Sequence, residues 1–100
     1  MHGNRVDHIN IYRNAIRHSC IISLPISVVE LLNYPKRVIV REHPLSISIV
    51  GIDDTNSVKM SLNKDCNGHI SFNPIGDIDE YIGRYSYEID DMTLYLEKIL

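Results

Sequence analysis

The chain has a single alanine, Ala15, and no tryptophan among its 100 residues. Alanine is the best helix former, so its near absence argues against a helical bundle. Only two cysteines are present, Cys20 and Cys66, too few for a disulfide framework. No run approaches the roughly 18 uncharged apolar residues of a membrane helix; the longest, Cys20 to Val29, is broken by Ser23, Pro25 and Ser27. Met1 to Arg5 shows no apolar segment of a secretory signal, so a reduced, cytoplasmic setting without membrane contact is expected. Gly-rich phosphate loops, Gly-x-Ser-x-Gly and His-Glu-x-x-His are all missing, and no enzyme is expected.

What is abundant is isoleucine. Sixteen Ile, seven Val and two Thr make a quarter of the chain β-branched. Such side chains lose rotamer freedom in helices and pack well on a pleated surface. An AT-rich genome, as many phages have, produces the same Ile and Asn bias. Charge is divided: net +3 through Ile52 and −6 from Asp53 onward, for a total of −3. An acidic half beside a basic one is compatible with nucleic-acid contact by the N-terminal half only, but with no cluster of Lys and Arg and no basic helix the positive half reads rather as an ordinary solvated surface.

Alternation marks the strands. Residues 8–14 place Ile9 and Ile11 on one face, and His18 to Leu24 is a second strand that Pro25 stops. Ile26 to Tyr34 reads as a short helix with Val28, Leu31 and Leu32 on one face, ended by Pro35. Arg37 to Arg41 and Leu45 to Val50 are strands about a turn at His43-Pro44, and Asp53 to Ser57 is a loop. Val58, Met60 and Leu62 alternate, then Asn67-Gly68 suggests a tight hairpin before Ile70 and Phe72. Residues 74–83 hold a helical turn. For the last segment, a hairpin turning at Asp90-Asp91 is preferred to a terminal helix stepping through Ile89, Met92, Leu96 and Ile99.

Ile22-Ser23-Leu24 can be laid on Ile70-Ser71-Phe72, and Pro25-Ile26 on Pro74-Ile75 after one inserted residue. Two β-rich copies, 9–52 and 58–100, would then close one shared core; the alternative is chance similarity in an Ile/Ser-rich chain. The stretch from Cys20 to Tyr34 also resembles the SpoVT/AbrB-like swapped-hairpin domains, in which a strand ends in an apolar residue and Pro, a short helix ends in Leu-Gly-Ile, and two strands follow. Leu32-Asn33-Tyr34 stands near where Leu-Gly-Ile would, with Asn33 taking the place of a glycine at positive φ. The resemblance covers about residues 9–52. It implies a dimeric or pseudo-dimeric barrel, a transcription factor or antitoxin-like repressor, with arginines of the first strand and its loop on DNA. Arg13 and Arg17 lie in that stretch; Val28-Val29-Glu30 departs from the Arg-Arg that often follows the Pro, and Pro35-Lys36-Arg37 replaces the family's acidic residue.

The expected fold is therefore mostly β, a small barrel of swapped-hairpin or cradle-loop type with one or two short helices in one domain. The leading function is a small DNA-binding regulator, a homodimer on double-stranded DNA, with Arg13, Arg17, Arg37 and Arg41 as its positive surface. The alternative is a non-enzymatic protein-binding module, such as a phage-encoded inhibitor of a host nucleic-acid-binding protein. Its contacts would come from Tyr85, Tyr87, Asp90 and Asp91 in the acidic half, because tyrosine offers a rigid contact with a polar tip. No cofactor is expected, zinc being the one candidate. His18, Cys20, Cys66 and His69 are the residue types of a Cys₂His₂ site, but their spacing matches no zinc finger. Cys20 reads rather as a small core hydrophobe and Cys66 as a turn residue.

Overall fold

The β-branched chain folds as a barrel. The computed structural model describes residues 8–43, 46–50 and 57–99. Its elements are β1 (Ile9–Arg13), β2 (Cys20–Leu24), α1 (Ile26–Leu31), β3 (Arg37–His43), β4 (Ser46–Val50), β5 (Val58–Leu62), β6 (Gly68–Phe72), α2 (Ile78–Tyr81), β7 (Gly83–Asp90) and β8 (Thr93–Lys98). The eight strands close in the order β1-β2-β6-β5-β3-β4-β8-β7, antiparallel throughout, with β7 returning to β1. Closure leaves no sheet edge to template aggregation. The turn expected at Pro44 and the loop expected over 53–56 lie outside the described residues. No described helix is long and apolar enough to cross a membrane.

The order has an internal logic. Exchanging β1–β4 with β5–β8 maps the ring onto itself, so the hairpins of the two halves alternate around the wall. Register obeys the same exchange. β2 and β6 pair about Ile22 and Ile70, with Cys20 opposite Phe72 and Leu24 opposite Gly68. On the far side β4 and β8 pair about Ser48 and Tyr95. Val38 opposite Val58 corresponds to Tyr85 opposite Ile9, and Arg37 opposite Lys59 to Arg84 opposite Asn10. Even the turns agree: Asn14 and Asn63 each accept backbone N–H groups of their own loop, from Ile16 and Arg17 in one case and from Asp65 and Asn67 in the other.

Inward side chains fill the barrel. Ile11, Ile22, Ile70 and Met60 are successive cross-strand partners on four neighbouring strands, and all four are buried. Ile22, Val38, Ile70 and Leu94 are all fully buried in this one cluster, as expected of strands that close on themselves. Neither half could bury this face alone.

The helices plug the ends. α1 follows the Leu24 end of β2, and Val28, Val29 and Leu32 are buried there. Leu31 is 61% exposed, so the helix turns Val29 inward where the spacing suggested Leu31. Its first N–H is donated to Asn67 Oδ1 (2.9 Å) from the other half. The helix stops because Asn33 adopts φ 62 while Tyr34 N donates to Val29 O and Asn33 N to Glu30 O, a Schellman closure with Asn in the glycine position. α2 lies at the opposite end, capped by the Asp77 carboxylate on Asp79 N (3.2 Å), with Tyr81 edge-on to Phe72.

Two turns depart from expectation. Asn67-Gly68 is not the hairpin tip: Cys66 takes the positive φ (63), and Gly68 is already in β6. Space there is tight, since a Cβ would lie 3.0 Å from Met60 Sδ and 3.1 Å from Val29 Cγ2, and these side chains would have to give by a few tenths of an ångström. The β7–β8 hairpin does form, with Asp91 (φ 48) and Met92 (φ 65) as its two central residues. Two positive φ values match the right-handed twist of the flanking strands.

Candidate binding surface

The strand order decides where the arginines go. β1 and β3 occupy opposite places in a ring of eight, four strand spacings apart, about 19 Å along the sheet. Arg13 and Arg17 sit at the mouth covered by α2, Arg13 ending β1 and Arg17 exposed in the following loop. Arg37 and Arg41 project from the outer face of β3 on the far wall. Two of the four are already engaged. Arg13 is ion-paired with Asp79 of α2. Arg37 donates through Nε to Ser57 Oγ (2.7 Å) and through Nη2 to Ser57 O (2.6 Å). The four therefore do not form the single positive surface expected of them, because β5 and β6 are inserted between the hairpins that carry them.

The candidate metal ligands are also separated. Cys20 lies opposite Phe72 at the last position of β6, whereas Cys66 precedes Gly68 at its start, so roughly 20 Å of strand lies between them. Cys20 is fully buried and its thiol is pushed up by that burial, although Arg13 pulls it down. Cys66 is exposed, His18 is exposed, and His69 lies on the outer face of β6 with its ring nitrogen 3.4 Å from Asn63 Nδ2. Among the described residues no three His, Cys, Asp or Glu side chains gather as a metal would require.

The tyrosines divide by strand face. Tyr85 and Tyr87 share one face of β7, and it is the inner one. Tyr85 is 2% exposed, donates its hydroxyl to Tyr81 O (2.9 Å), and has its phenol pushed up to about 12 by desolvation. It is a core residue, which removes it from any docking surface. Tyr87 packs half-buried against the same cluster. Asp90 and Asp91 are exposed at the hairpin tip, at the end of the barrel plugged by α1.

Outward positions of β4, β8 and β7 make a shaped surface. Ser46 and Ser48 on β4 and Ser86 on β7 are short, while Tyr95 and Glu97 on β8 and Glu88 on β7 stand around them. Small side chains between large ones leave a cleft of about 390 Å³. Ser48, 6% exposed, lies in its floor, and Ser86 Oγ donates to Glu97 O (3.3 Å). Tyr95 lies directly opposite Glu88 and two residues from Glu97. Tyr95, which is not among the residues selected from the sequence, stands 49% exposed at this wall. Its outward direction was readable from alternation with buried Leu94 and Leu96 once the last segment is taken as a strand.

The opposite wall, β2 and β6, offers Ile21, Ser23, His69 and Ser71 outward, with no carboxylate. Among the described residues, the β4–β8–β7 wall joins a cleft to outward Tyr95, Glu88 and Glu97, with Arg84 also outward on β7. The chain matches no family model, no curated protein and no solved structure.

Proposed function

We propose that the chain is a non-enzymatic protein-binding module that docks its partner on the outer wall of β4, β8 and β7. One observation carries this reading: the cleft and its flanking Tyr95, Glu88 and Glu97 occupy one face, while the arginines are split between distant places. A protein surface recognised by tyrosine and carboxylates suits that face, whereas phosphates would be repelled by it. An inhibitor seated in the basic groove of a host nucleic-acid-binding protein, acting in the cytoplasm, is the form of module that this charge distribution suits. The test is placement of a photo-cross-linking residue at Ser46, in the lining of the cleft, and, separately, at Ser61, which is exposed on β5 across the barrel. A partner trapped from Ser46 and not from Ser61 is the expected result; trapping from both or from neither overturns the reading.

A small DNA-binding regulator is the second reading. What favours it is the alternation of hairpins around a closed barrel, which is the architecture implied by the resemblance to swapped-hairpin domains. It requires Arg17 and Arg41 of two chains to meet on one duplex, because one chain presents them at distant places. Mobility shift of random duplex at low salt decides it, since the phosphate contribution is largest there. A shift that Arg17→Ala with Arg41→Ala abolishes supports this reading; no shift removes it.

A further inference from the structure

We infer that the β4–β8–β7 cleft grips a cationic side chain, an arginine or lysine on an extended segment of the partner, between Glu88 and Glu97 with Tyr95 as its packing face. The inference rests on the protein-binding reading and adds the chemistry of what is bound.

Three relations support it. Glu97 is paired with Ser86, two residues before Glu88, so the two carboxylates are diagonal neighbours on one face, about 7–8 Å apart at the backbone. Side chains of that length converge on one guanidinium or ammonium group. Tyr95 lies opposite Glu88 and beside Glu97, and its ring face is the surface over which a cation is attracted by the aromatic quadrupole. Finally, neither carboxylate is in a salt bridge with any described residue, in contrast to Asp79, which holds Arg13. The two carboxylates of the cleft therefore stand outside any such ion pair beside a concave surface, with Arg84 the nearest cation on the same face of β7, two residues before Ser86.

The same rows set a direction. Arg41, Ser48, Tyr95 and Glu88 are successive cross-strand partners from β3 to β7, so along this row a cation stands at the β3 end and a carboxylate at the β7 end, with Arg84 further along the same face of β7. The cleft, at about 390 Å³, has room for one long side chain and the backbone flanking it rather than for a folded element.

The experiment is a fluorescence-anisotropy titration of the full chain with an end-labelled Gly/Ser peptide carrying two arginines, against the same peptide with glutamates in their place. Wild-type protein should bind the arginine peptide and not the glutamate peptide, with affinity that falls as salt rises. Glu88→Gln with Glu97→Gln should weaken binding about tenfold, as two partly exposed charge contacts would. Both residues are exposed, and an unchanged thermal midpoint of the double variant checks that the barrel is intact. Equal binding of the two peptides, no binding of either, or an unaltered affinity of the double variant overturns the inference. The cross-link from Ser46 reports place and the titration reports charge. A partner trapped from Ser46 equally with and without Glu88→Gln and Glu97→Gln would therefore leave the docking wall standing and remove the cation.

Discussion

Ile22 and Ile70 are the pair about which the two halves of the barrel are related, and truncating them tests whether the halves share one core. Ile22→Ala removes three carbons from a fully buried side chain flanked by Ile11 and Ile70. Transfer at about 0.8 kcal/mol per carbon gives about 2.4 kcal/mol, and the cavity left behind brings the cost to about 3–4 kcal/mol. Ile70→Ala, between Ile22 and Met60, should cost the same. The two side chains are direct cross-strand neighbours, so their cavities merge and the double variant should depart from additivity by about 0.5–1 kcal/mol. Urea unfolding followed by far-ultraviolet dichroism and by tyrosine fluorescence is the assay, with Ile16→Ala, at a side chain 92% exposed, as the control expected within about 0.5 kcal/mol of wild type. Each variant should unfold in one transition with both probes coincident. Strict additivity of the pair, or separate transitions for the two halves, would refute a shared core.

Three further outcomes follow from burial. Leu32→Ala should destabilise by about 2–4 kcal/mol and Leu31→Ala by no more than about 0.5, since Leu32 is 1% exposed and Leu31 61%; equal effects would mean that α1 is rotated from its observed setting. A thiol reagent should label Cys66 at once in the native protein and Cys20 only on unfolding, because Cys20 is buried and its thiol is raised by that burial; rapid labelling of both contradicts the packing of β2. Tyr85 carries a phenol raised from 10.0 to about 12, so the folded state keeps a proton that the unfolded chain releases. Stability should fall as pH climbs through that interval, by up to about 3 kcal/mol, and Tyr85→Phe should flatten the fall in thermal midpoint; an unchanged slope in the variant contradicts the burial of this hydroxyl.

Much of the fold is written locally. Alternation at Ile47/Ile49, Ile9/Ile11 and Leu94/Leu96 marks strands because the period of two is a property of the backbone itself. Pro25, Asn33 and Pro35 bound α1 through conformational limits that each residue carries alone. What was not legible depends on partners distant in sequence. Tyr85 and Tyr87 are visibly on one face of a strand, yet which face is inward is set by β1 and β8 lying beside β7. Gly68 looked like turn chemistry because the side chains that crowd it, Met60 on the neighbouring strand and Val29 in α1, meet it only through the fold. The separation of the arginines has the same origin: periodicity cannot show that β5 and β6 come between β2 and β3. The cleft was illegible for that reason too, since its serines and carboxylates come from three strands brought together by pairing.

The placing of arginines on distant walls and of the acidic cleft on one wall depends on a single property, the order of strands around the barrel. Cross-strand nuclear Overhauser contacts in solution measure it directly. Contacts between the backbones of Val38 and Val58 and between those of Ile9 and Tyr85 are predicted, because these pairs join each half to the other. Contacts joining β1 directly to β3 would contradict the account, since they would bring Arg13 and Arg41 onto one surface and break up the interleaving that assembles the candidate site.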